Sequence, residues 1–285
     1  MKPAWITGLP WKFSFLVLGL LVCGAVIAQD YQRRWNRGNY DPRNGVPNWE
    51  NDQDFKHDVF TFVRIQYDSH GGNYGWRGGR GGARGKWRTD YPDADLNLSF
   101  RLKELTSLEV DPDGKVMRLT DEALFDYPFI YMIEPGHLLF SEEEVIALRK
   151  YLNKGGFMMV DDFWGEMEWA NFERQMARVF PDRRPEHVPL DHEIFNIVYQ
   201  LKEKPQIPSV HAYLSGMSTE RWDAREANYK AIYDDNGRIM TFICHNTDLG
   251  DGWEREGVDR GYFETYSEPF AYPLGINIVT YAMTH

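Results

Sequence analysis

Two uninterrupted apolar runs constrain this chain most. They are Phe129-Ile130-Tyr131-Met132-Ile133 and Phe157-Met158-Met159-Val160. Neither alternates with polar residues, so neither suits a sheet with one wet face. Such runs fit strands buried on both sides, as in a parallel sheet. An amphipathic helix lies between them. Ser141-Glu142-Glu143-Glu144 reads as a capping box, in which the Ser hydroxyl takes a free amide and the Glu reaches back to the cap. Val145, Leu148 and Leu152 recur at helical spacing, and Gly155-Gly156 ends the helix. Strand, helix and buried strand make a βαβ unit, with a right-handed crossover and helices covering the sheet.

The flanking sequence extends the pattern. Val59 to Tyr67 is rich in β-branched and aromatic residues and predicts a strand. Ala94, Leu98, Leu102 and Leu105 predict a helix. Leu108 to Val110 and Val116 to Leu119 predict short strands around the turn Asp111-Pro112-Asp113-Gly114. Trp169, Phe172, Met176 and Val179 predict a further helix ending before Pro181. The stretch 181–235 carries Pro185, Pro189, Pro205 and Pro208, which break any long element. Asp234-Asp235-Asn236-Gly237 predicts a hairpin turn between strands at 229–233 and 239–244. An acidic loop from Asp248 to Glu268 precedes a closing helix from Gly275 to Met283. The expected fold is α/β: a three-layer α/β/α open, mostly parallel sheet, flavodoxin-like in outline.

The first 28 residues have the grammar of a secretory signal peptide. Lys2 and Lys12 give a positive start, Phe13 to Val26 is nearly all apolar, and Val26-Ile27-Ala28 precedes Gln29. The apolar run is about 14 residues, short of the roughly 20 needed to cross a bilayer. Cleavage after Ala28 is therefore expected, with retention as a membrane anchor the alternative. The predicted organisation is a signal peptide at 1–28, a polar lead-in at 29–56 and a single α/β domain at 57–285. The expected location is periplasmic or extracellular, with membrane contact only through an uncleaved signal.

Charge and cysteine content narrow the function classes. The chain holds 32 Lys+Arg against 43 Asp+Glu, a net charge of −11. That balance argues against nucleic acid as a partner. Two cysteines exclude a disulfide-rich scaffold and a four-cysteine zinc site. Cleavage would remove Cys23 and leave Cys244 without a disulfide partner. No cofactor is implied.

In open α/β sheets the ligand crevice lies beyond the carboxyl ends of the strands. That rule selects Tyr67, Asp68 and His70 after the first strand, and Glu134 and His137 after the run 129–133. It selects Asp161 and Asp162 after the run 157–160, and His245, Asn246 and Asp248 after the last strand. A Gly-rich stretch, Gly71 to Arg88, carries five basic residues and no acid. It reads either as a cradle for an anionic or polar ligand or as a surface loop without a ligand. Trp87 and Arg88 at its end, with Asp90 and Asp95 beyond, adjoin ordered structure and are the better candidates. The ligand-binding set is Tyr67, Asp68, Trp87, Arg88, Asp90, Asp95, His137, Asp161, Asp162 and His245. No metal site is assigned, though Asp161 and Asp162 are weak candidates for an oxygen-liganded cation. Cys244 and His245 are adjacent on a predicted strand and point to opposite faces, against a nucleophile–base pair.

The order of these segments resembles a known family. Arg64-Ile65-Gln66-Tyr67, Trp87-Arg88-Thr89-Asp90-Tyr91-Pro92-Asp93-Ala94-Asp95, Tyr127-Pro128-Phe129-Ile130-Tyr131, Leu152-Asn153-Lys154-Gly155-Gly156-Phe157 and Gly237-Arg238-Ile239-Met240 follow one another as in the bacterial domain-of-unknown-function family 4159. The resemblance covers about 59 to 283. It implies a class I glutamine-amidotransferase-like fold, but this chain lacks the cysteine at an elbow used by catalytic members of that fold. It also implies an exported or membrane-associated protein and points to an envelope protein assembly as partner. Two functions are expected to compete. One is a non-catalytic binding module for a ligand or protein at the carboxyl edge of the sheet. The other is a carbohydrate- or amide-directed hydrolase using Asp and His, with or without a metal.

Overall fold

A computed structural model describes residues 41–52, 58–69 and 85–285. The chain divides into two units, Met1–Asn44 and Gly45–His285. In the first, the described residues 41–44 form a turn closed by the Asn44 amide on the Asp41 carbonyl. The second carries the fold. The signal-peptide segment and the Gly-rich stretch up to Arg84 lie outside the described residues.

The strands are β1 (Val63–Ile65), β2 (Asp68–Ser69), β3 (Lys115–Met117), β4 (Phe129–Ile133), β5 (Leu138–Leu139), β6 (Phe157–Phe163), β7 (Glu186–His187), β8 (Asn228–Tyr233) and β9 (Ile239–His245). The helices are α1 (Asp93–Leu105), α2 (Glu142–Asn153), α3 (Gly165–Val179), α4 (Val210–Leu214), α5 (Leu249–Glu254), α6 (Arg260–Tyr262) and α7 (Tyr272–Thr284). The main sheet has the order β3-β1-β4-β6-β9-β8-β7. Its first five strands are parallel, and β8 and β7 add antiparallel on the far side. Counted along the chain, the parallel strands lie in the order 2-1-3-4-5. That doubly wound order has its switch point between β1 and β4.

Side-chain alternation builds the three layers. Phe129, Tyr131 and Ile133 face a core shared with Ala94, Leu98 and Leu102 of α1 and with Leu274, Ile278 and Tyr281 of α7. Ile130 and Met132 face the opposite core, shared with Val145, Leu148 and Leu152 of α2 and Phe172, Met176 and Val179 of α3. The predicted capping box is present: the Ser141 hydroxyl accepts from the Glu144 amide, and the Glu144 carboxylate accepts from the Ser141 amide. The predicted hairpin joins β8 and β9.

Three expectations need correction. The strand predicted to end at Val160 continues through Asp161 and Asp162 to Phe163. Its pairing with β9 shifts between Val160 and Phe163, and Asp162 has φ +54°. This bulge breaks the alternation, so Phe163 joins Met158 and Val160 on the same face. The predicted acidic loop from Asp248 to Glu268 is helical over most of its length: α5, α6 and a π-helical segment, Phe263–Ala271, run into α7. Its acids cap helix starts, as Asp248 and Asp259 accept from Asp251 and Tyr262 amides. Finally, part of the predicted lead-in is docked. The Trp49 indole donates to the Val110 carbonyl at 2.7 Å, joined by Asn51 at 2.9 Å.

Candidate functional site

The carboxyl ends of β1, β4, β6 and β9 open on one edge of the sheet. Four non-glycine residues there, Asp90, Glu134, Asp162 and Asn246, have φ between +46° and +61°. Each costs on the order of 1 kcal/mol or more in a backbone region that glycine enters freely. The turns they make bring polar side chains back over the strand ends.

At the switch point, buried Tyr67 donates its hydroxyl to the carbonyls of Ile133 and Glu134, at 2.7 and 2.8 Å. The Glu134 carboxylate accepts from Lys86 and Thr89. Below them Arg64, fully buried in β1, organises the segment that returns from the Gly-rich stretch. Its guanidinium holds Asp95 through Nε and Nη2, and its Nη1 donates to the Trp87 and Thr89 carbonyls at 3.1 and 2.9 Å. The Tyr131 ring covers the guanidinium with its centroid 5.0 Å away.

The main feature is a gathering of carboxylates around Asp248, which follows β9. Asp248 falls within a set with Asp90 and Asp251, and within a second set with Asp162 and Glu220. In each set the ligand atoms lie within 4.8 Å of one another. Asp90 comes from the segment before α1, Asp162 from the β6 bulge, Glu220 from the connection after α4, and Asp251 from α5. Asp161 sits alongside: its Oδ2 accepts from the Gly250 amide at 2.9 Å and the Tyr131 hydroxyl at 3.2 Å. Gly250 leaves room for this approach. A Cβ there would stand 2.6 Å from Asp90 Oδ2 and 2.9 Å from the Tyr131 hydroxyl.

Electrostatics follow from the crowding. Burial, with Glu254 and Asp251 adding repulsion, pushes the Asp90 carboxyl well above the ordinary range. Burial, with Asp162, Asp251 and Asp90 nearby, does the same to Asp248. Burial, with Glu134 and Asp90, does so to Asp162. Asp161 is pushed up to about 7 by burial, against the Gly250 amide that favours its ionised form. Such a group of acids must hold protons or be met by positive charge.

The sequence-predicted residues separate into two groups. Tyr67, Asp90, Asp161 and Asp162 meet at this edge. Trp87 lends its backbone carbonyl to Arg64 and packs against the β1–β4–β6 core. The others are engaged elsewhere. Asp95 is turned to Arg64, because an arginine buried in a strand requires a counter-charge. Asp68 is exposed and pairs with Arg118 at 3.3 Å. Arg88 is exposed and lies over the Trp87 and Tyr91 rings. His137 pairs with Glu168 at 3.4 Å. Despite burial, His137, the Trp164 amide and Arg221 hold the Glu168 carboxyl below its ordinary range. His245 points inward: its Nε2 contacts the Gly165 carbonyl at 3.2 Å, and its ring packs beside those of Phe163 and Trp169. Cys244 is fully buried, and burial pushes its thiol well above the ordinary range.

Arg64, Glu220 and Asp251 carry no strand-end signal in the sequence. Asp248 was visible at a strand end, but its central place was not. The described edge is acidic, whereas the basic stretch had suggested a seat for an anion.

Residues 61–283 match the family described as Domain of unknown function (DUF4159). No curated protein matches the chain.

Proposed function

The chain belongs to the DUF4159 family, whose match spans nearly all of the Gly45–His285 unit; from that premise we propose an exported α/β module that binds a cationic ligand at the carboxyl edge of its sheet. The observation carrying this reading is the position of Asp248, within reach of the Asp251 carboxylate of the helix it caps and of carboxylates from three other segments. Among the described residues, the cation in ion-pair contact with these acids is Arg255, on Asp251 at 3.2 Å. A cationic ligand would supply the missing charge, with Tyr67, Asp90, Asp161 and Asp162 lining its seat. Binding rather than nucleophilic catalysis is favoured by the buried Cys244 thiol and by His245, held against a backbone carbonyl. Export rests on the first 28 residues, and an envelope protein assembly is the partner in keeping with it.

Melting curves of the purified protein against two sets of small molecules test the binding. Spermidine and L-argininamide should raise the melting temperature, while citrate and phosphate should not. Equal stabilisation by the anions would refute the reading. Mass spectrometry of the protein recovered from the periplasm should find Gln29 at the N-terminus.

A further inference from the structure

We infer that the acidic edge is a site for a hard divalent cation, of the magnesium, manganese or calcium class, centred on Asp248. This rests on the cationic-ligand reading and names the class of ligand.

The first argument is how the acids are held. Asp162 Oδ1 accepts from the Trp164 indole at 2.9 Å. Glu220 Oε1 accepts from the Ser209 amide at 3.0 Å. Asp248 Oδ1 accepts from the Asp251 amide at 2.7 Å. Each carboxylate is thus oriented by donors of the protein, the Ser209 hydroxyl adding to its amide at Glu220. Outer-shell donors that orient a carboxylate in this way are what a metal ligand needs.

The second argument is independent of the clustering. Asp90 Oδ2 is enclosed and has no hydrogen-bond partner, although it lies against the turn between Asp248 and Asp251. Asp161 Oδ1, on a residue with no solvent exposure, is also without a partner. Buried carboxylate oxygens without donors are costly, and a coordinated cation relieves that cost.

The donor set selects the cation. Both groups around Asp248 consist of carboxylates alone, with no imidazole or thiolate. All-oxygen sites suit magnesium, calcium and manganese, whereas zinc prefers sites with nitrogen or sulfur. Glu220 is exposed, so the site has an entrance on that side.

Titration calorimetry and melting curves with Mg²⁺, Mn²⁺, Ca²⁺ and Zn²⁺, on metal-stripped protein, test this. At least one of the first three should bind and raise the melting temperature. Asp248→Asn should abolish both effects. Glu220→Gln, at the exposed rim, should weaken binding about tenfold and serves if the Asp248 variant fails to fold. Asp235→Asn, on the exposed hairpin turn, should leave binding unchanged. Binding of Zn²⁺ alone overturns the inference, as does an unaltered response in both site variants. Stabilisation by spermidine without any metal response overturns it but leaves the cationic-ligand reading standing. No response to either removes both.

Discussion

Arg64 and Asp95 form a fully buried ion pair beneath the carboxyl edge, with the arginine Nε 3.0 Å from each oxygen of the aspartate. The same guanidinium donates to the carbonyls of Trp87 and Thr89. A pair between β1 and α1 thereby sets the path of the segment that delivers Asp90. Removing one partner leaves a buried charge uncompensated, which costs about 3–5 kcal/mol. Arg64→Met should show a loss of that size in urea denaturation. Replacing both partners with Leu should cost less than either single change, since no orphan charge remains. Additive losses in the double variant would contradict this account.

Gly250 is the point of closest approach in the acid group. Gly250→Ala sets a methyl 2.6 Å from Asp90 Oδ2 and 2.9 Å from the Tyr131 hydroxyl, so one of them must move. The expected loss of stability is about 1–3 kcal/mol, typical of overpacking. Cation affinity should fall as well, because Asp90 is displaced. Calorimetry on the variant checks both, and unchanged affinity would mean that Asp90 stands outside the binding set.

Asp248→Asn separates charge from shape. The amide oxygen can still accept from the Asp251 amide and so keeps the cap on α5. One negative charge is lost beside Asp90, Asp162 and Asp251. In metal-free buffer near pH 8 the variant should be more stable than the parent by about 1 kcal/mol, the size expected when a like-charge contact is relieved. A clear destabilisation would show that the carboxylates are not repelling one another in the free protein.

His245 makes stability depend on pH in the opposite sense to the crowded acids. Burial beside Phe163 and Trp169 takes its imidazole from an ordinary value of 6.5 to about 4, against the pull of the Gly165 carbonyl, with the Lys230 ammonium adding. Between those values the unfolded chain holds a proton that the folded chain does not. The contribution is complete above pH 6.5 and is lost as pH falls toward 4, up to roughly 3 kcal/mol. His245→Gln retains a donor for the Gly165 carbonyl. Its melting temperature should decline less steeply than the parent's between pH 6.5 and 4.5. Parallel profiles would rule out this role.

Local chemistry made much of the fold legible. The capping box at Ser141, the hairpin turn at Asp234 to Gly237, and the unbroken runs of β4 and β6 act through neighbours a few residues apart. Helices and tight turns are built from such contacts, so their signals survive in one dimension. The strand-end rule pointed to Tyr67, Asp161 and Asp162, and the flank of the Gly-rich stretch to Asp90; the fold places all four at the carboxyl edge of the sheet.

The identity of the acid group was not legible in this way. Asp90, Asp162 and Glu220 come from segments far apart in the chain, and only the tertiary fold sets them around Asp248 and its neighbour Asp251. Adjacent residues on a regular strand diverge, so the placement of Asp161 and Asp162 depended on a bulge that their sequence does not announce. Asp95 has the same side chain as Asp90, yet lies at the buried face of α1 against an arginine contributed by β1. The amino-acid order determined the layers of this protein and the polar residues at its strand ends, through short-range bonding and apolar periodicity. Tertiary structure decided which carboxylates are paired and which face one another unpaired, because long-range packing alone fixes the distances on which their charges act.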